Sequence, residues 1–125
     1  MLDKMLQKQK ELQERLGYDF SSMTREEITA YIKEFSIHLT QELHETLYSL
    51  PYFKPWKDYS AMTIEEYEAD MEEARKEFID MFHFVLNIAL ALDMSGKDIY
   101  DMYMAKNEEN HRRQDEGYTH DKSYR

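Results

Sequence analysis

Two pairs of carboxylates, Glu42 with Glu45 and Glu77 with Asp80, have the residue types and the spacing to hold a divalent cation. Residues three apart on a helix project from one side. An E-x-x-E pair facing an E-x-x-D pair therefore gathers four carboxylates around one point. Such an all-oxygen site suits hard cations, Mg²⁺ or in its place Mn²⁺. E-x-x-E is also common on solvated helix faces, so Glu42 and Glu45 alone say little. Glu77 and Asp80 say more because of their setting. The run FIDMFHFVLNIALAL, residues 78–92, is apolar on nearly every side, as in a helix buried on all faces. Glu73, Glu77, Asp80 and Asn87 fall on one stripe of it. Ionised carboxylates inside a core need a cationic partner, because desolvating them is costly.

Other metal chemistries do not fit. His44-Glu45 lacks the second histidine of an H-E-x-x-H zinc site. A di-iron bundle site needs two Glu-x-x-His pairs, and the chain offers only Asp80-x-x-His83. There is no cysteine, so thiolate sites, disulfides and thiol nucleophiles are excluded. No glycine-rich phosphate loop is present.

Phosphate recognition is instead expected near the C-terminus, where Lys106, Asn107, Asn110, Arg113 and Gln114 recur at helical spacing. Amides and cations there can grip phosphate oxygens, Arg in a bidentate fork. Phe53 and Trp56 stand on a proline-stiffened loop where a base can stack. An acidic metal site with a localised basic segment fits an anionic substrate such as a nucleoside triphosphate.

The elements that must position these residues read as four helices. The first spans about 2–16 and stops at Gly17. Leu2, Met5, Leu6, Leu12 and Leu16 form its apolar face, with Gln9 and Gln13 beside it. Thr24 to Glu27 reads as a capping box opening a second helix to residue 50, with a stripe of Ile28, Ile32, Phe35, Leu39, Leu43 and Leu47. Thr63 to Glu66 opens a third helix, to residue 93, in the same way, and Ser95 to Asp98 a fourth, 95–112. A polar tail runs to residue 125. Short links imply a single-domain antiparallel four-helix bundle. A third helix that is apolar all round needs more cover than its neighbours supply, so homo-oligomerisation is expected.

The 125 residues carry a net charge of −10, which disfavours nucleic-acid and anionic-membrane partners. No secretory leader and no apolar run of spanning length is visible, so a cytoplasmic protein is the default.

Taken in order, Gln9-x-x-x-Gln13, ELHE, YFKPWK, KEFID-x-x-HF-x-x-N and K-N-x-x-N-x-x-R-Q-x-x-G-Y resemble the dimeric, all-α dUTPases. These belong with the MazG-type enzymes among the all-α NTP pyrophosphohydrolases. The resemblance runs from about Leu2 to Tyr118, and its tail motif is the most specific part. It implies that Glu42, Glu45, Glu77 and Asp80 bind two or three Mg²⁺ ions. It implies further that Lys106, Asn110 and Arg113 hold phosphates. Gln9, Gln13, Trp56 and Asn87 would form the nucleoside pocket, with Phe84 against the deoxyribose. The implied reaction is hydrolysis of dUTP, and of dUDP, to dUMP by a metal-activated water, with Glu45 or Glu42 taking its proton. A MazG-like hydrolase of dCTP or of several NTPs is the rival enzyme, and a non-catalytic helical interaction module the rival of another class. The chain lacks the insertion that large members carry between the third and fourth helices. It is expected to lean on its dimer partner to close the site.

Overall fold

The computed structural model describes residues 1–117. They form four helices: α1, Leu2–Arg15; α2, Arg25–Ser49; α3, Ile64–Ala91; and α4, Gly96–Asp115. No strand occurs among the described residues. Tyr118 and the tail after it lie outside them.

The helix starts follow from local chemistry. Thr24 and Glu27 exchange both bonds of a capping box, and so do Ser95 and Asp98. Thr63 caps α3 by accepting from the Glu66 N–H at 3.1 Å, but the Glu66 carboxylate does not return the bond. The helix ends are equally local. At Gly17, φ is +100°. There the Tyr18 N–H reaches back to the Gln13 carbonyl at 2.9 Å and the Gly17 N–H to that of Glu14 at 3.0 Å. This glycine-terminated reversal folds Tyr18 back beside the end of α1. Asp93 plays the same part after α3 with φ 57°, a conformation aspartate tolerates better than most residues.

The α2 and α3 helices form the long antiparallel hairpin of the bundle. Tyr31 meets Ala91, Phe35 meets Phe84 and Tyr52 meets Tyr67. Tyr31 and Phe35 are buried here, with Tyr18, Phe20 and Phe84 around them. A second cluster joins Leu6 of α1 to Leu86 and Ala89 of α3, with Ile99 of α4 packed on it.

Two features differ from the sequence pattern. The buried positions of α1 are Leu6, Gln9 and Gln13, while Met5, Leu12 and Leu16 are exposed. The face expected to flank the core thus lies inside it. The run on α3 is not covered on all faces within one chain: Phe78 is 48% and Ile79 52% exposed.

The fourth helix turns by 100° from α3. Its N-terminus is fixed by the Gly96 N–H donating to Asp3 Oδ1 at 2.8 Å, which also puts a carboxylate at the positive helix end. A Cβ on Gly96 would stand 2.7 Å from that oxygen, so any larger residue would displace the Asp3 carboxylate from this contact. Beyond Ile99, every residue from Tyr100 to Glu109 is exposed. No single helix among the described residues is long and apolar enough to cross a membrane.

Candidate active site

Glu42 and Glu45 sit one turn apart on α2, opposite Glu77 on α3 in the antiparallel hairpin. Each offers an oxygen, and the three oxygens lie within 4.8 Å of one another. Glu42 and Glu77 are half-buried and Glu45 is exposed. Burial pushes the Glu42 carboxyl up to about 7, helped by the charges of Glu45, Asp80 and Glu77. Glu77 is raised as well, first by desolvation and then by its contact with Glu45. Oxygen Oε2 of Glu42 is buried with no hydrogen-bond partner, the only such side-chain atom among the described residues. Like charges this close, one with an orphaned buried oxygen, fit a bound cation: three carboxylate donors suit a hard divalent ion. Asp80 stands at the edge of the group. It is exposed, but it lines a cleft with Glu42 and its charge acts on both Glu42 and Glu77.

That cleft, about 520 Å³, opens between α1, α2 and α3. Acid lines one end. The other end is lined by three amides, Gln9, Gln13 and Asn87, exposed by only 6%, 3% and 2%. Gln9 Nε2 donates to Asn87 Oδ1 at 2.7 Å, and the buried Tyr31 hydroxyl donates to Gln13 Oε1 at 2.8 Å. Leu12, Leu16, Phe35 and Phe84 supply apolar walls. A cleft with a few convergent polar groups, apolar sides and an acidic mouth suits a ligand with an anionic end and a flat heteroaromatic end.

A family model described as dUTPase matches residues 1–96 and 86–118. The chain belongs to the all-α dUTPase family. Membership makes it a nucleotide pyrophosphohydrolase of a metal-dependent family, which sets aside a non-catalytic helical module. Two relatives are dCTP pyrophosphatases. That of Enterobacteria phage LZ5 is 33% identical over 94% of this chain and 82% of its own length. That of Enterobacteria phage T4 is 39% identical over 50% of this chain and 42% of its own. A DNA replication protein of phage T4 is 37% identical over 42% of this chain and only 15% of its own length. No solved structure matches the chain significantly.

Within this dUTPase-family chain the residues singled out from sequence divide into two groups. Glu42, Glu45 and Glu77 come together, and Glu42 shares the cleft with Asp80, Gln9, Gln13, Phe84 and Asn87. The rest do not line it. Phe53 packs edge-on against Tyr48 at the end of α2, and Trp56 is 75% exposed. Lys106, Asn110 and Arg113 lie on the outer part of α4, where Arg113 pairs with Glu109 at 3.0 Å. Sequence reading missed Tyr18, Leu12 and Leu16 as cleft residues, and Tyr31 as the buried group that bonds Gln13. Tyr31 had a signal: it lies four residues before Phe35, on the same stripe of α2.

Proposed function

We propose that the chain is a Mg²⁺-dependent pyrophosphohydrolase of pyrimidine deoxynucleoside triphosphates, dUTP foremost, acting as a homodimer in the cytoplasm. The observation that carries this reading is the junction of the carboxylate group, with its orphaned Glu42 oxygen, to the amide-lined cleft. Glu42, Glu45, Glu77 and Asp80 would hold two or three ions. Bound there, Mg²⁺ supplies neutralisation of the phosphates and acidifies a water. The chain's own part is then specific. Glu45, the exposed acid, takes the proton of the attacking water, with Glu42 the alternative acceptor. Phe84 and the leucines of α1 exclude solvent around the sugar, and the amides hold the base edge. The LZ5 and T4 relatives favour dCTP as a second substrate.

Two observations support the dimer. Phe78 and Ile79 of α3 and Met102, Tyr103 and Met104 of α4 are left exposed in one chain, and exposed apolar side chains of this kind are what a subunit interface covers. The phosphate-binding candidates of α4 also lie outside the cleft of their own chain, so a partner's α4 would bring Lys106, Asn110 and Arg113 to it. Pyrophosphate release with Mg²⁺ across the deoxynucleoside triphosphates tests the activity: dUTP should be cleaved, and no release from any of them overturns the reading. Mixing unfolded Glu77→Gln and Arg113→Ala chains and refolding them together tests sharing. Regained activity supports a site built by two subunits, and a mixture as inactive as its parents refutes it.

A further inference from the structure

We infer that Gln9 and Asn87 form a two-position reader of the pyrimidine edge, matching uracil in one orientation and cytosine in the other, while Tyr31 holds Gln13 as a fixed donor. This rests on the nucleotide-hydrolase reading above and names how its pocket admits two bases. Each of the three amides makes one side-chain hydrogen bond among the described residues. That leaves Asn87 Nδ2, Gln9 Oε1 and Gln13 Nε2 without partners on amides that line the cleft, and none of these atoms is sealed from it. Gln9 is the middle group. It is bonded to Asn87 on one side and stands one helical turn before Gln13 on the other.

From Asn87 through Gln9 to Gln13 the open edge therefore reads donor, acceptor, donor. Uracil presents the complement: the O4 acceptor, the N3–H donor and the O2 acceptor. The oxygen and nitrogen of a carboxamide are nearly the same size. Turning Gln9 and Asn87 together preserves their mutual bond, now donated by Asn87 Nδ2 to Gln9 Oε1. The edge then reads acceptor, donor, donor, which matches the amino group, N3 and O2 of cytosine. Gln13 does not take part in the exchange. Turning it would strip the Tyr31 hydroxyl, on a side chain only 4% exposed, of its acceptor. Since O2 is an acceptor in both bases, a fixed donor serves both.

The test assays wild type, Gln9→Glu, Asn87→Asp and Tyr31→Phe with dUTP and dCTP in Mg²⁺, with circular dichroism confirming the fold. Wild type should cleave both. Glutamate at position 9 can only accept, so Asn87 Nδ2 turns to it and the edge reads acceptor, acceptor, donor, one mismatch for either base; kcat/KM should fall about tenfold or more for both substrates. Aspartate at position 87 draws Gln9 Nε2 and leaves the same acceptor, acceptor, donor edge, so it should give the same dUTP-to-dCTP ratio as Gln9→Glu. Tyr31→Phe should raise KM for both substrates alike, more than it lowers kcat, and leave the ratio unchanged. Should a buried carboxylate unfold the chain, Asn87→Ser serves instead. It removes the paired amide, and both substrates should weaken by similar factors. A wild type that cleaves one pyrimidine but not the other, acid variants whose ratios move in opposite directions as two independent readers would give, or a serine variant that loses one substrate only, overturns the inference alone. A wild type that cleaves neither overturns the hydrolase reading with it.

Discussion

The two polar groups at the cleft both place polar atoms out of water, all three amides at one end and Glu42 and Glu77 at the other, yet they are built in opposite ways. The amides Gln9, Gln13 and Asn87 are neutral, each bonds another amide or Tyr31 and turns its remaining polar atom to the cleft, so they sit beside Leu6 and Leu86 at little cost. The carboxylates Glu42, Glu45 and Glu77 are like charges that no cation of the described chain meets, and one oxygen is left orphaned. The amide end holds no charge that folding leaves uncompensated. The acid end is finished by something the chain does not contain. Burial alone therefore does not mark a site; the marker is burial without compensation.

The largest effect expected from this contrast is on activity. Glu77→Gln or Asp80→Asn should lower kcat/KM at least about a hundredfold, roughly 2.7 kcal/mol, while helical circular dichroism is kept. A variant keeping more than about a tenth of wild-type activity breaks the assignment of the acid end. Stability should respond with opposite signs at the two ends. Asn87→Ala opens a cavity and orphans Gln9, and should cost about 1–3 kcal/mol in denaturant unfolding. Glu42→Gln removes an uncompensated charge and should raise the metal-free melting temperature. It should also shrink the further stabilisation that Mg²⁺ gives wild type, which is about 2.7 kcal/mol at a hundred times Kd. Equal signs at both ends would erase the comparison.

Trp56 belongs to neither end within one chain. Trp56→Ala should leave stability within about 0.5 kcal/mol. If a partner subunit closes the site with this loop, KM for dUTP should rise by the equivalent of about 1–3 kcal/mol of lost stacking. An unchanged KM removes Trp56 from the site. The smallest effect concerns pH. Glu42 ordinarily titrates near 4.5 and is held at about 7 in the fold, so the native state binds the extra proton between those values. Without divalent metal, the melting temperature should fall as pH rises from about 4.5 to 7, and Glu42→Gln should flatten that slope. The hydrogen-bonded carboxylates of Asp19 and Glu27 are lowered instead and act below this window.

The sequence by itself determined what depends on near neighbours. Capping residues at Thr24, Thr63 and Ser95 and the reversal at Gly17 mark the helix ends, because those bonds span only three to five residues. The spacing within each carboxylate pair was legible for the same reason. Tertiary structure alone decided which faces meet. Hydrophobic spacing put Met5, Leu12 and Leu16 on the apolar face of α1 with Leu6, yet the chain buries Gln9 and Gln13 instead of them, because their partners Asn87 and Tyr31 come from other helices and leave no trace in local periodicity. The 100° turn of α4 was hidden likewise, since it hangs on Asp3, ninety-three residues away in sequence, reaching the N–H of Gly96.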